Sequence, residues 1–168
     1  IIIVNNHIYI YNMVNNLDTT YKKYAEQCVK YIKGNLHISY DKDLVIDFTA
    51  KNGLFIETVD QLSKMSLMYD KNPSHPDVKK LDFLTLDFDK FNKTFLSGLW
   101  FDDIHVVGVP LPDEIEESID TACKFAHSVS FILPKKNIPF IFPSSYQCLF
   151  NTNLNSSTIF QIWIKADY

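Results

Sequence analysis

Four short apolar runs constrain this chain more than anything else in it. They are Leu44-Val45-Ile46-Asp47-Phe48 and residues 65–69, 104–109 and 128–133. Runs of this kind, rich in Val, Ile, Leu and Phe and without a polar alternation, belong to strands buried on both faces, as in a parallel sheet. Parallel neighbours need long crossovers, and stretches of helical spacing lie between and around the runs to supply them. Residues 17–33 place Leu17, Tyr21, Tyr24, Cys28 and Ile32 near one face, with Asp18 as N-cap and Gly34 just past the end. Residues 54–63 read as a short helix. Residues 113–126 form an amphipathic one, with Ile115, Ile119, Ala122, Cys123 and Ala126 on its buried face. Glu114, Glu116 and Glu117 are its expected solvated first turn, where the helix dipole favours negative charge. Residues 8–14 and 83–88 are further strand candidates, and the two prolines in residues 71–76 demand a loop. Residues 146–150 and 158–164 flank a turn rich in Asn and Ser, which predicts an antiparallel hairpin. The fold class is therefore α/β, mostly parallel, with a C-terminal antiparallel hairpin.

A length of 168 residues suits one domain, with residues 1–43 as an N-terminal strand and helix extension and 44–168 as the core. All sixteen basic residues are lysine, and the net charge is -4. Without arginine's two-point grip on phosphate, nucleic acid is a weak expectation as a partner. Three widely spaced cysteines and no CxxC argue against a zinc site or a disulfide framework, so no metal is expected and a reducing compartment is. No apolar run is long enough to predict a membrane span. Glycine is scarce, with 4 in the chain, while Ile, Asn, Lys, Tyr and Phe abound. That bias fits A/T-rich coding, as in many large DNA viruses, some protists and some bacteria.

In an open α/β sheet, ligands bind beyond the carboxyl ends of the strands. The residues standing there are the chemical candidates. Asp47 leads a loop that runs through Lys51, Asn52 and Gly53 to Phe55. Asp70 ends the second run, 17 residues after the Gly53 turn, where a carboxylate can accept bonds from both hydroxyls of a ribose. Asp82-Phe83 follows, a pair suited to holding an adenine by its amine and its plane. Val109-Pro110-Leu111-Pro112 closes the fourth run. The order of these acids along one α/β chain points to an adenosine-type cofactor. The bland assignments are that Phe55, Phe83 and Phe131 are core, that His105 is a satisfied core histidine, and that Cys123 and Cys148 are small buried apolar groups. Asp47, Asp70 and Asp82 then read as strand-end and turn aspartates.

Residues 44–165 resemble the S-adenosylmethionine-dependent methyltransferases of the amino, N6-adenine type, especially the short forms of large DNA viruses and phages. The segment from Asp47 to Phe55 is similar to that family's Asp-Pro-x-Ala-Gly-Asn-Gly-x-Phe motif. Asp70, Asp82-Phe83-Leu84, Phe131-Ile132-Leu133-Pro134-Lys135 and Ile159-Phe160-Gln161-Ile162-Trp163 match its later elements. The resemblance implies a Rossmann-like methyltransferase fold of seven strands. It implies S-adenosylmethionine as cofactor, held by Asp47, Asn52, Gly53, Asp70, Asp82 and Phe83.

Two departures shape the functional expectation. The family's catalytic Asn-Pro-Pro-Phe or Asp-Pro-Pro-Tyr is here Val109, Pro110, Leu111 and Pro112, and a valine side chain accepts no hydrogen bond from a target amine. Lys51 stands where the cofactor loop carries its first glycine. The expectation is a degenerate, catalytically inactive methyltransferase-like protein, used as a structural or binding module with a protein partner or assembly. A virion- or capsid-associated component, or a cytoplasmic one, fits that reading. The alternatives are an active amino-methyltransferase and a non-catalytic subunit of one.

Overall fold

The structure, a computed structural model, describes residues 19–50, 55–136 and 139–166. The strand expected at residues 8–14, Leu17 and Asp18 of the first helix, and the loop residues Lys51, Asn52 and Gly53 lie outside the described residues. In chain order the elements are α1 (Thr19–Asn35), β1 (Leu44–Asp47), α2 (Ile56–Val59), β2 (Met65–Asp70), β3 (Lys79–Lys80) and α3 (Phe88–Phe91), which runs into a π-helical turn (Asn92–Leu96). Then come β4 (Ile104–Gly108), α4 (Ile115–Cys123), β5 (Ser128–Pro134), β6 (Tyr146–Asn153) and β7 (Thr158–Lys165).

Among the described residues, seven strands form one sheet in the order β3-β2-β1-β4-β5-β7-β6. The first five are parallel, and β7 runs antiparallel to both β5 and β6. The chain therefore leaves β1 outward through β2 and β3, then returns to the other side of β1 with β4. That reversal opens a crevice at the carboxyl edge of β1, between the ends of β2 and β4.

Every residue of β1 and β4 is buried. Side chains alternate between the two faces, as the pleat requires. Val45, Val107, Ile132, Phe160 and Ile162 pack under Ala25, Cys28, Val29 and Ile32 of α1 and Val59 of α2. Leu44, Ile46, Val106, Val129, Phe131 and Leu133 share the other cluster with Ile115, Ile119 and Ala122 of α4 and with Phe91 and Leu96. Among the described residues no helix follows β5 to finish that second face. A strap, residues 139–143, instead inserts Phe140 and Phe142 while Ile141 stays exposed. Phe142 stacks on Trp163 at 4.0 Å between ring centroids.

Several local expectations are corrected. Residues 83–88 hold no strand. Asp82 accepts a hydrogen bond from the Leu84 amide (3.1 Å), and Asp87 caps α3 by accepting from the Lys90 amide (3.0 Å). These local bonds compete with a sheet ladder and win. The third strand is the exposed pair Lys79–Lys80 instead. Gly34 lies inside the last turn of α1, which continues to Asn35, whose side chain donates to the Tyr31 carbonyl. Cys148 is exposed on β6 rather than buried, because only one face of that edge strand is covered.

His105 is a satisfied core histidine, as expected. Its ring joins the Ser128 hydroxyl (2.7 Å) and the Asp43 carboxylate (3.3 Å) at the amino edge of the sheet. Ser128 is fully buried, so this chain of polar groups links β1, β4 and β5 and offers no nucleophile to a substrate. Burial lowers the His105 pKa, against the pull of Asp43.

The strap predicts a measurable dependence on its aromatic residues. Phe142→Ala should cost about 3 kcal/mol by removing a buried ring and its stack on Trp163. Urea denaturation followed by tryptophan fluorescence checks this, and a loss below about 1 kcal/mol would show that the strap does not seal the core.

Candidate functional site

The crevice at the carboxyl edge holds a cleft of about 220 Å³. Its floor is Phe48 and Thr49, directly after β1, and its walls include Asp70, Asp82, Phe83, Val109 and Glu114. The volume is below the ~300–1,000 Å³ of most small-molecule sites, and it suits one compact part of a ligand.

The floor is rigid for identifiable reasons. Phe48 is buried and stacks on Phe83 at 4.4 Å, with Tyr69 at 5.8 Å on the same ring. Phe83 is thus both core, as expected, and a cleft residue. Its ring is already committed to Phe48.

Beside this stack runs a short chain of hydrogen bonds. The Val109 amide donates to the Thr49 hydroxyl (2.7 Å), which donates to the Asp47 carboxylate (2.9 Å). The same carboxylate oxygen accepts from the Thr49 amide (2.7 Å). The chain crosses from the end of β1 to the end of β4, and Gly108 lets it close. A Cβ on Gly108 would overlap the Thr49 hydroxyl and press on the Asp47 carboxylate at 3.1 Å. One of the few glycines therefore stands where a close approach requires it.

Asp47 lies beneath the cleft and not on its surface, with 1% of its area exposed. Burial pushes its carboxyl up to about 7, while the two bonds from Thr49 pull the other way. Asp70 and Asp82 do line the cleft. Asp70 accepts from the Asn72 amide (2.7 Å), so its carboxylate is held at the turn after β2 with one edge directed by the backbone. Asn52 and Gly53 lie outside the described residues. Val109 and Leu111 line the cleft at the end of β4, and Pro110 between them is buried.

Sequence reasoning missed three polar participants. Thr49 was overlooked because its hydroxyl matters only once β4 lies beside β1. Lys71 was read as part of a loop, yet its ammonium pairs with the Glu114 carboxylate across the cleft. Glu114 is accordingly not a solvated helix residue. It stands half-buried at the N-cap of α4, while Glu116 and Glu117 are exposed as expected. The neighbouring Asp70 and Asp82 were signals that a lysine at 71 would find company. No local spacing could have pointed to Glu114, which is 43 residues away.

Among the described residues no group of three or more His, Cys, Asp or Glu is placed to hold a metal ion, and no helix is long and apolar enough to cross a membrane. No family model matches the sequence, and no curated protein matches it. Solved structures do share the fold. The 23S rRNA methyltransferase ErmE aligns with a TM-score of 0.57 at 8% identity, covering 86% of this chain and 68% of that one. A putative methyltransferase of Escherichia coli, YhhF, aligns with a TM-score of 0.57 at 10% identity, covering 89% and 88%. Fibrillarin in its complex with Nop5p gives 0.56 at 10% identity, covering 88% and 83%. The described chain has the Rossmann-like methyltransferase fold.

The buried Asp47 makes stability pH-dependent with a defined sign. An unfolded aspartate titrates near pH 4, and the folded one at about 7. Folding takes up a proton between those values, so this residue's contribution is most favourable below the lower one and is lost as pH rises through the upper one. Asp47→Asn keeps an oxygen acceptor for Thr49 and removes the charge. Its stability relative to the parent should rise from about pH 4 to about pH 8 in urea titrations. A difference that stays constant across that window would show that Asp47 is ionised at no cost.

Proposed function

We propose that this protein binds S-adenosylmethionine at the carboxyl edge of its sheet and does not methylate amines, serving as a binding module within a protein assembly. The observation that carries this reading is the charge of the cleft. Its described lining holds three carboxylates, from Asp70, Asp82 and Glu114, against one ammonium, from Lys71, which Glu114 already engages. A nucleotide's phosphates have no free cationic partner among these residues. S-adenosylmethionine, whose sulfonium and ammonium outweigh its single carboxylate, is favoured by the same field.

The donors and acceptors fit that ligand. Asp70, at the end of β2, is placed to accept from ribose hydroxyls, and Asp82 to accept from an exocyclic amine. Leu84 and Leu111 provide apolar surface for the base, beside the buried Phe48–Phe83 stack. Asp47 holds the start of the loop that leads from β1 to α2. When bound, S-adenosylmethionine supplies a methyl group activated by its sulfonium. The methyltransferase fold of the solved structures, at identities near one in ten, supports the cofactor class.

The end of β4 argues against amine chemistry. A methylated amine needs an acceptor for its protons and a lone pair directed at the sulfonium. Val109 presents an apolar side chain there, and its amide is spent on Thr49. Pro110 is buried, so it gives the target no stacking face.

Calorimetry tests the binding. S-adenosylmethionine should bind at micromolar concentration, and NAD and ATP should give no heat. Absence of heat at millimolar S-adenosylmethionine would overturn the reading. A companion assay with the methyl-labelled cofactor and amine acceptors should show no transfer, and turnover would establish an enzyme.

A further inference from the structure

We propose that the Lys71–Glu114 ion pair is a bar across the cleft that must part before a ligand enters. This rests on the cofactor reading for the ligand, but the bar itself is a matter of topology. Lys71 is the first residue after β2, and Glu114 stands at the N-cap position of α4, in the connection that follows β4, with its side chain making no cap bond. In the sheet, β1 lies between β2 and β4. A contact between these two side chains therefore passes over the carboxyl end of β1, where Phe48 and Thr49 form the floor. Both side chains line the cleft, with Glu114 the more shielded of the two. The pair joins segments 43 residues apart, and among the described residues no backbone hydrogen bond links the turn after β2 to the start of α4. Glu114 holds Lys71 in its charged form, and Asp82 and Asp113 reinforce that hold.

Kinetics of S-adenosylmethionine association separate a bar from a simple electrostatic field. Lys71→Met and Glu114→Gln should each raise the association rate about fivefold, because either one removes the pair. The exchanged double variant, Lys71→Glu with Glu114→Lys, should restore the slow rate. A field alone predicts opposite changes in the two single variants, since one makes the cleft more negative and the other less; that result would overturn the bar. Weaker binding in both would also overturn it, by making the two residues ligand contacts. A second readout needs no ligand. Acylation of Lys71 in the unmodified protein, followed by mass spectrometry, should be several-fold slower than that of the exposed Lys135 and Lys136, and Glu114→Gln should abolish the lag. If no variant binds S-adenosylmethionine, the cofactor reading fails while this lag still supports the bar. Acylation of Lys71 as fast as Lys135 would overturn the bar whatever binds.

Discussion

The structure depends on β1 being pinned to β4 at both ends by a buried carboxylate. β1 is only four residues long and is buried on both faces, so apolar packing alone leaves its polar ends in a dry environment. At the amino end Asp43 accepts from the Ser39 amide and meets His105 of β4. At the carboxyl end Asp47 accepts from Thr49, whose hydroxyl takes the Val109 amide just beyond β4. Buried polar groups of this kind are costly unless satisfied, and once satisfied they specify one arrangement. The two ties flank the ladder that pairs Leu44 with Ile104 and Asp47 with Val107, at whose carboxyl end the crevice opens.

The same ties shape what the cleft can do. The amide after β4 is consumed in holding the floor together, and a valine side chain faces the space beside it. The walls, by contrast, keep carboxylates after β2 and β3. A binding surface and a reacting surface are separable parts of one fold, because the fold positions backbone ends while the chemistry resides in individual side chains. Here Asp70, Asp82 and Glu114 give the cleft its charge, while Val109 and Leu111 line it at the end of β4 and Pro110 between them is buried.

The strands that were plain in the sequence were those that are themselves apolar runs, β1, β2, β4 and β5, together with the β6–β7 hairpin. Their patterns follow from burial on both faces, or from a turn that local chemistry dictates. The element that was misread, residues 83–88, is equally apolar, but Asp82 and Asp87 turn the backbone through local hydrogen bonds. Of the candidate site, Asp70 was legible because it ends an apolar run, and Asp82 and Phe83 from their place in the chain order, although the short strand before them, Lys79–Lys80, was not. Thr49, Lys71 and Glu114 were not, since their partners lie tens of residues away and only the sheet order brings them together.

Hydrophobic periodicity and turn chemistry are local properties, so the chain alone disclosed the α/β class, the parallel core and the carboxyl edge where a site would form. It also placed Val109 at the carboxyl end of the fourth apolar run. Packing decided the rest. It showed why Gly108 must be glycine, since the Thr49 hydroxyl occupies the place of a side chain. It raised Asp47 toward neutrality by removing it from water. And it drew Lys71 and Glu114 together over β1, a meeting set by strand order, which no stretch of neighbouring residues encodes.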